Sequence, residues 1–350
     1  MTTEYVDKIL GLAASRRASD VHFFVGKKPL MRVDGVLMEI EEEEQLQANI
    51  TEELVYSMLS PQRKQRFIKE RELDFAYQIP NGVRFRVNIH WERGYVGMVA
   101  RVIPMQIPTM EDLGMPDIVY ELTRLKQGLV LVTGPTGCGK STSLAAMINL
   151  INKERREHII TLEDPIEYIF TSDKSLIRQR EMDRDFLSFS TALKHVVRQD
   201  PNIIMVGEMR DLETISAALT VAETGHLVFA TLHTLGSSET IDRIIDVFPP
   251  YQQEQIRLQL SMELRAVVSQ QLVPRVGGGR VAAREVMINT SAVSNLIREN
   301  KIPQLQTVLQ TSADSGMITL DLSLKKLHDE GLVDRDLVSG YMQNPSLLDE

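Results

Sequence analysis

The first hundred residues alternate between short helical and short strand-like patterns. Val6, Ile9, Leu10 and Ala13 recur at i, i+3, i+4 and i+7, which predicts an amphipathic helix with its apolar stripe packed inward and its end near Arg16 and Arg17. A strand is expected at Val21 to Val25. Leu30 to Val33 and Val36 to Ile40 flank Asp34-Gly35, a dipeptide that favours a tight hairpin turn. Thr51, with Glu52 and Glu53 in the first turn, is expected to start a helix that Pro61 interrupts. Asn81-Gly82 joins two further strands, Asp74 to Tyr77 and Val83 to Ile89, and Val96 to Val102 adds one more. Together they predict a small α+β domain over residues 1–103.

The stretch from Ile103 to Thr109 carries two prolines and neither period, which places a linker over residues 104–120. The texture then changes. Apolar runs at Leu129 to Thr133, His158 to Leu162, Ile203 to Gly207 and Leu227 to Leu232 are separated by helical patterns. Continuously apolar strands are buried on both faces, as in a mostly parallel sheet covered by helices. Residues 121–350 therefore read as an α/β domain, with Gly277-Gly278-Gly279 turning a hairpin between Val273 and Val286.

Composition sets limits on this picture. A chain of 350 residues with 43% hydrophobic and 25% charged positions can bury a core in two domains. Its net charge of −9 argues against a protein that works by neutralising a nucleic-acid backbone. Cys138 is the sole cysteine, which excludes an internal disulfide and a multi-cysteine zinc site. No apolar run approaches the roughly 20 residues of a membrane span, and Met1 to Asp7 lacks the features of a secretory signal. The chain is expected in the cytoplasm, without direct membrane insertion. The acidic run Glu41 to Glu44 reads as a solvated loop.

The chemistry centres on Gly134, Pro135, Thr136, Gly137, Cys138, Gly139, Lys140, Ser141 and Thr142, which fit a phosphate-binding loop of the form G-x4-G-K-S. An apolar strand precedes it, and Leu144, Ile148 and Ile151 form a helical stripe after it. Backbone N–H groups and a helix N-terminus suit phosphate, Lys140 adds a full charge, and the Ser141 hydroxyl suits Mg²⁺. Cys138 occupies an unconstrained position and reads as a substitute for another small residue.

Three other strands end in polar groups. Ile203 to Glu208 closes on a carboxylate, Ile159 to Glu167 places Glu163, Asp164 and Glu167 within five residues, and Thr224 to Thr234 carries His226 and His233 at either end of a strand. Carboxylates clustered near a phosphate loop suit metal binding and water activation. Arg84 and Arg86 share one face of a strand, with Phe85 and Val87 on the other, and Arg101 lies on a later strand.

The phosphate loop, ITLEDPIE, IIMVGEMRD and TGHLVFATLHT resemble the Walker A, Asp box, Walker B and His box of the type II/IV secretion ATPase superfamily, and within it the PilT-like type IV pilus retraction ATPases. The resemblance runs from Ser19-Asp20-Val21-His22 to Met317-Ile-Thr-Leu-Asp321. It implies an α/β fold in which a RecA-like P-loop ATPase domain follows a small PAS-like α+β domain. It also implies a homo-hexamer that uses ATP and Mg²⁺ at the cytoplasmic face of the inner membrane. Its implied partners are a pilus platform protein of that membrane and a paralogous pilus ATPase.

For the residues, the resemblance implies that Glu163 or Glu167 activates water and that Glu208, with Ser141, supports the metal. It further implies that His226 and His233 sense the γ-phosphate, and that Arg84, Arg86 and Arg101 act as fingers toward the nucleotide. The box Ala292-Val-Ser-Asn-Leu-Ile-Arg-Glu299 is similar to the retraction family's AIRNLIRE, with Val293 and Ser294 in place of Ile and Arg. The expected activity is Mg²⁺-dependent hydrolysis of ATP that drives pilus retraction and twitching. The rival readings are an extension or secretion ATPase, favoured by a four-cysteine zinc site and long N-terminal region that this sequence does not show, and a nucleotide switch without motor activity.

Overall fold

The computed structural model describes residues 2–33, 35–103 and 106–349, so Met1, Asp34 of the expected hairpin turn, Pro104 and Met105 of the expected linker, and Glu350 lie outside the described residues. The chain divides into two compact units, Met1–Gln106 with Pro165–Ile169, and Ile107–Asp164 with Phe170–Glu350.

In the first unit, α1 (Thr2–Ser15), β1 (Asp20–Phe23), β2 (Leu30–Val33) and β3 (Val36–Glu39) are followed by α2 (Ala48–Ser57), α3 (Pro61–Glu70), β4 (Glu72–Gln78), β5 (Arg84–Glu92) and β6 (Tyr95–Ile103). The strands form one antiparallel sheet in the order β3-β2-β1-β6-β5-β4. Val6, Ile9, Leu10 and Ala13 of α1 are all buried, as their spacing predicts. They pack with Phe67, Phe75, Phe85 and Val87 in a single core.

Helix α2 starts three residues before the expected Thr51, with Gln47 in the cap position. Thr51 lies inside the helix, where burial and a bond from its Oγ1 to the Gln47 carbonyl (3.0 Å) replace the capping role. Pro61 opens α3 rather than merely ending α2. Its fixed φ suits the first helical position, and the Ser60 hydroxyl caps the helix by accepting from the Arg63 N–H.

The second unit opens with α4 (Asp117–Thr123), β7 (Gly128–Thr133), α5 (Lys140–Glu154), β8 (His158–Glu163), β9 (Leu176–Glu181) and α6 (Phe189–Val196). It continues with β10 (Ile203–Val206), α7 (Leu212–Glu223), β11 (Leu227–Leu232), α8 (Ser237–Asp246), α9 (Pro250–Glu263), β12 (Leu264–Pro274) and β13 (Arg280–Ile288). The chain then runs through α10 (Ser291–Arg298), α11 (Leu305–Thr311), α12 (Leu320–Asp329) and α13 (Arg335–Ser339).

The sheet order is β13-β12-β7-β11-β10-β8-β9, parallel throughout except for the antiparallel β12–β13 hairpin. The glycine triplet turns that hairpin, all three residues at positive φ. Successive residues of each strand serve opposite cores. Leu129, Leu131, Ile204 and Val228 face α6 to α11, whereas Val130, Val132, Ile203 and Phe229 face α4 and α5. This double burial is why the four strands read as unbroken apolar runs.

Two boundaries differ from the expected ones. Residues 107–120, expected as linker, belong to the second unit because Met110, Met115 and Val119 are buried in its core. The second unit is also not one unbroken segment, since Pro165–Ile169 groups with the first.

Candidate nucleotide site

Parallel strands β7, β8, β10 and β11 end on one edge of the sheet, and in open α/β sheets ligands bind at that carboxyl edge. Gly134 leaves β7 with φ of +139°, and an added Cβ would stand 2.2 Å from the Gln270 carbonyl oxygen. Only glycine fits there. Gly137 and Gly139 follow at φ of +77° and +88°, and the Gly137 Cβ direction opens on nothing within 4 Å. The loop is thus tight against the protein on one side and open at Gly137, a cradle suited to a phosphate chain.

Lys140 is buried at the start of α5, its Nζ donating to the carbonyls of Gly134 (2.7 Å) and Pro135 (3.1 Å). These bonds fold the ammonium over the loop. Cys138 is buried, and burial pushes its thiol above the ordinary range despite the nearby Lys140 charge.

Gln270 of β12 is the residue that sequence reasoning missed. Its Nε2 donates to the Cys138 carbonyl (2.7 Å) and its Oε1 accepts from the Ser143 hydroxyl (2.8 Å), tying the loop and α5 to the sheet. Beside it, Thr133 and Ser269 hydroxyls pair at 2.7 Å. The available signal was a polar side chain inside an apolar strand, which burial makes costly unless it is bonded. Ser269 and Gln271 on either side blurred it.

Glu208 lies just past β10, following Gly207, where a Cβ would meet the Leu162 carbonyl at 3.2 Å. Its carboxylate pairs with Arg210 and, through Oε2, with His233 Nε2 at 3.3 Å. The other ring nitrogen of His233 stands 3.5 Å from the Thr136 hydroxyl, the outer limit of a hydrogen bond. His233 therefore bridges the phosphate loop and the carboxylate. Asp211 has a different task, capping α7 by accepting from the Thr214 N–H (2.8 Å).

Glu163 ends β8 on the same edge. It is buried, and its Oε1 accepts from the Thr161 hydroxyl (2.6 Å) and from Gln179 Nε2 (3.0 Å). Glu167 falls in the first unit, 3.5 Å from Arg86.

His226 is the clear separation. It precedes β11, at the amino edge, where its carbonyl accepts from the Gly128 N–H (3.0 Å) and its Nδ1 lies 3.1 Å from the Val221 carbonyl. The six residues of β11 intervene, about 20 Å at strand rise. A strand carries its two ends to opposite edges, so His226 lies at the sheet edge away from the phosphate loop and His233 at the loop's edge.

Among the arginines, Arg86 and Arg101 are cross-strand partners on β5 and β6, on the sheet face away from Phe85 and Val87. Arg101 Nε donates to Asp20 Oδ1 at 2.8 Å while most of its side chain stays exposed. Burial opposes ionisation of Asp20, but the bonds from Arg101 and Ser19 hold its carboxyl below the usual range.

The residues fit a nucleotide with a hard divalent cation. The loop offers the open cradle and the buried lysine, and Ser141 and Glu208 would be the hard oxygen ligands. No group of three or more His, Cys, Asp or Glu side chains that could hold a metal ion occurs among the described residues. No helix among the described residues is long and apolar enough to cross a membrane.

Comparison with known proteins gives a consistent picture. Residues 1–278 match the family described as Type II/IV secretion system protein. The chain is 47% identical over 335 residues to the type IV pilus retraction ATPase PilT of Pseudomonas aeruginosa, covering 95% of this chain and 96% of that protein. It is 47% identical over 317 residues to a twitching motility protein of Neisseria gonorrhoeae, covering 90% and 84%. A crystal structure of the pilus retraction motor PilT with bound ADP superposes with a TM-score of 0.90 at 44% identity, covering 98% of each chain.

Proposed function

We propose, from the premise that this chain belongs to the type II/IV secretion system protein family, that it is a Mg²⁺-dependent ATPase powering the retraction of a type IV pilus. The observation that carries the reading is the path from Thr136 through His233 to Glu208, which links the glycine-rich loop to the carboxylate suited to the metal. Names and the ADP-bound state of the similar proteins support the class of reaction and the direction of the motor.

In this reading Gly134 to Thr142 bind the phosphates, with Lys140 against the β and γ groups, and Ser141 and Glu208 hold the metal. When bound there, the cation would neutralise charge on the phosphates and order water. Glu163, at the sheet edge, takes the proton from the attacking water, in preference to Glu167, which groups with the first unit. His233 reads the γ-phosphate through Thr136. Arg84, Arg86 and Arg101 act on the nucleotide of a neighbouring chain in a homo-hexamer, where a guanidinium stabilises charge on the transferring phosphate. The ring works at the cytoplasmic face of the inner membrane, held there by a pilus platform protein and with a paralogous ATPase as a further partner.

The test is phosphate release with and without Mg²⁺. A motor turns over continuously with the metal and stops without it, whereas a switch binds ATP and scarcely turns over in either condition.

A further inference from the structure

A cavity of about 940 Å³ lies in the second unit between the segment 111–118, the β12–β13 hairpin and α12. None of residues 134–142 lines it. Its walls carry Arg275, Arg280, Arg284 and Lys326. Arg284 is 3% exposed, donates Nη1 to the Gly114 carbonyl at 3.2 Å, and has no bond at Nε among the described residues. No carboxylate pairs with Arg275, Arg280 or Arg284 among the described residues. Burial alone lowers the Arg284 guanidinium to about 10, and the group remains a cation at neutral pH.

A buried cation without a counter-charge is costly, and neutralisation by a bound anion removes the cost. The acidic residues of the same walls do not supply it. Asp112 accepts from the Thr109 N–H (2.9 Å), Glu330 stands 3.9 Å from Lys326, and Glu111 and Asp117 make no ion pair with the arginines among the described residues. A planar guanidinium with an unbonded Nε–H can pair its parallel N–H donors with two oxygens of a tetrahedral phosphate. The volume is that of a small-molecule site rather than of a single ion.

We infer that this cavity binds a phosphate-bearing anion separately from the phosphate loop, and that its occupancy is felt at the loop through Gln270. Gln270 and Arg284 are cross-strand partners on β12 and β13, so their side chains share one sheet face. An anion that draws on Arg284 acts on the neighbour of the amide that holds Cys138 and Ser143. The coupling half of this inference rests on the proposed nucleotide site, and the binding half does not.

Calorimetric titration of the full chain at low salt decides both halves. ADP is titrated first into the free chain, and pyrophosphate then into the ADP-saturated chain. The expected result is one pyrophosphate per chain beyond ADP, weakened about tenfold or more in Arg284→Gln and in the exposed double variant Arg275→Gln/Arg280→Gln. The double variant keeps the test decisive if loss of a buried arginine unfolds the chain. ADP affinity in wild type should change about threefold or more when pyrophosphate saturates the cavity, and should not change in the double variant. No additional equivalent, simple displacement of ADP, or equal binding to the double variant would overturn the site, and unchanged ADP affinity would overturn the coupling. Absence of ADP binding in the first titration would instead refute the nucleotide reading, and pyrophosphate binding would still be scored against the double variant.

Discussion

The glycines of the loop make opposite demands, and that contrast is measurable. Gly134→Ala must fit a Cβ 2.2 Å from the Gln270 carbonyl at a φ of +139°. It should cost more than about 3 kcal/mol and abolish nucleotide binding, as read by denaturant unfolding and ADP titration. Gly137→Ala meets open space and bears only the backbone penalty, about 1 kcal/mol. Equal effects of the two would show that the loop is not seated as described. Lys140→Ala should leave the fold intact and reduce turnover below about a tenth of wild type, whereas Glu208→Gln should bind nucleotide and fail to hydrolyse it. In the first unit, the lowered Asp20 carboxyl contributes stability that is present above its ordinary range and lost as pH falls. Asp20→Asn should therefore melt lower than wild type at neutral pH, with the gap closing below about pH 4 in thermal scans. A gap that persists in acid would assign the effect to shape rather than charge.

At the scale of elements, legibility followed burial. Strands β7, β10 and β11 were plain because both faces are covered, and α1 because its stripe faces one core. β9 was invisible, its sequence Leu-Ile-Arg-Gln-Arg-Glu being polar at the sheet's edge where only one neighbour is required. The Walker and His boxes were readable as strand ends, but which sheet edge each histidine occupies depends on strand direction, which sets His226 and His233 on opposite edges. Gln270 could be seen only once β12 was laid beside β7. Gln270→Leu should cost about 2 kcal/mol by leaving the Cys138 carbonyl and Ser143 hydroxyl unpaired, and should weaken ADP binding more than it lowers stability. In α10, Val293 and Ile297 are buried, while the Ser294 hydroxyl donates to the Ser261 carbonyl at 2.7 Å, near the end of α9. The serine that departs from the retraction-family box thus has a structural partner. Ser294→Arg gives up that bond, so any gain in pilus coupling comes with a loss near 1 kcal/mol in unfolding experiments.

For the whole molecule the account requires assembly. If Arg84, Arg86 and Arg101 serve a neighbouring chain, specific activity rises with protein concentration as rings form, and light scattering reports a particle of about six chains. A fully active monomer would contradict this. Mixing Arg101→Ala with Lys140→Ala subunits should restore part of the activity if the arginine acts between chains. The claim that organises all of this is retraction. Its most direct test is deletion of the gene in its own organism, followed by counting of surface pili and scoring of twitching. The account predicts more pili and no twitching, with rescue by the wild-type chain but not by Lys140→Ala. Bald cells that export no pili would make the motor an extension enzyme and contradict it.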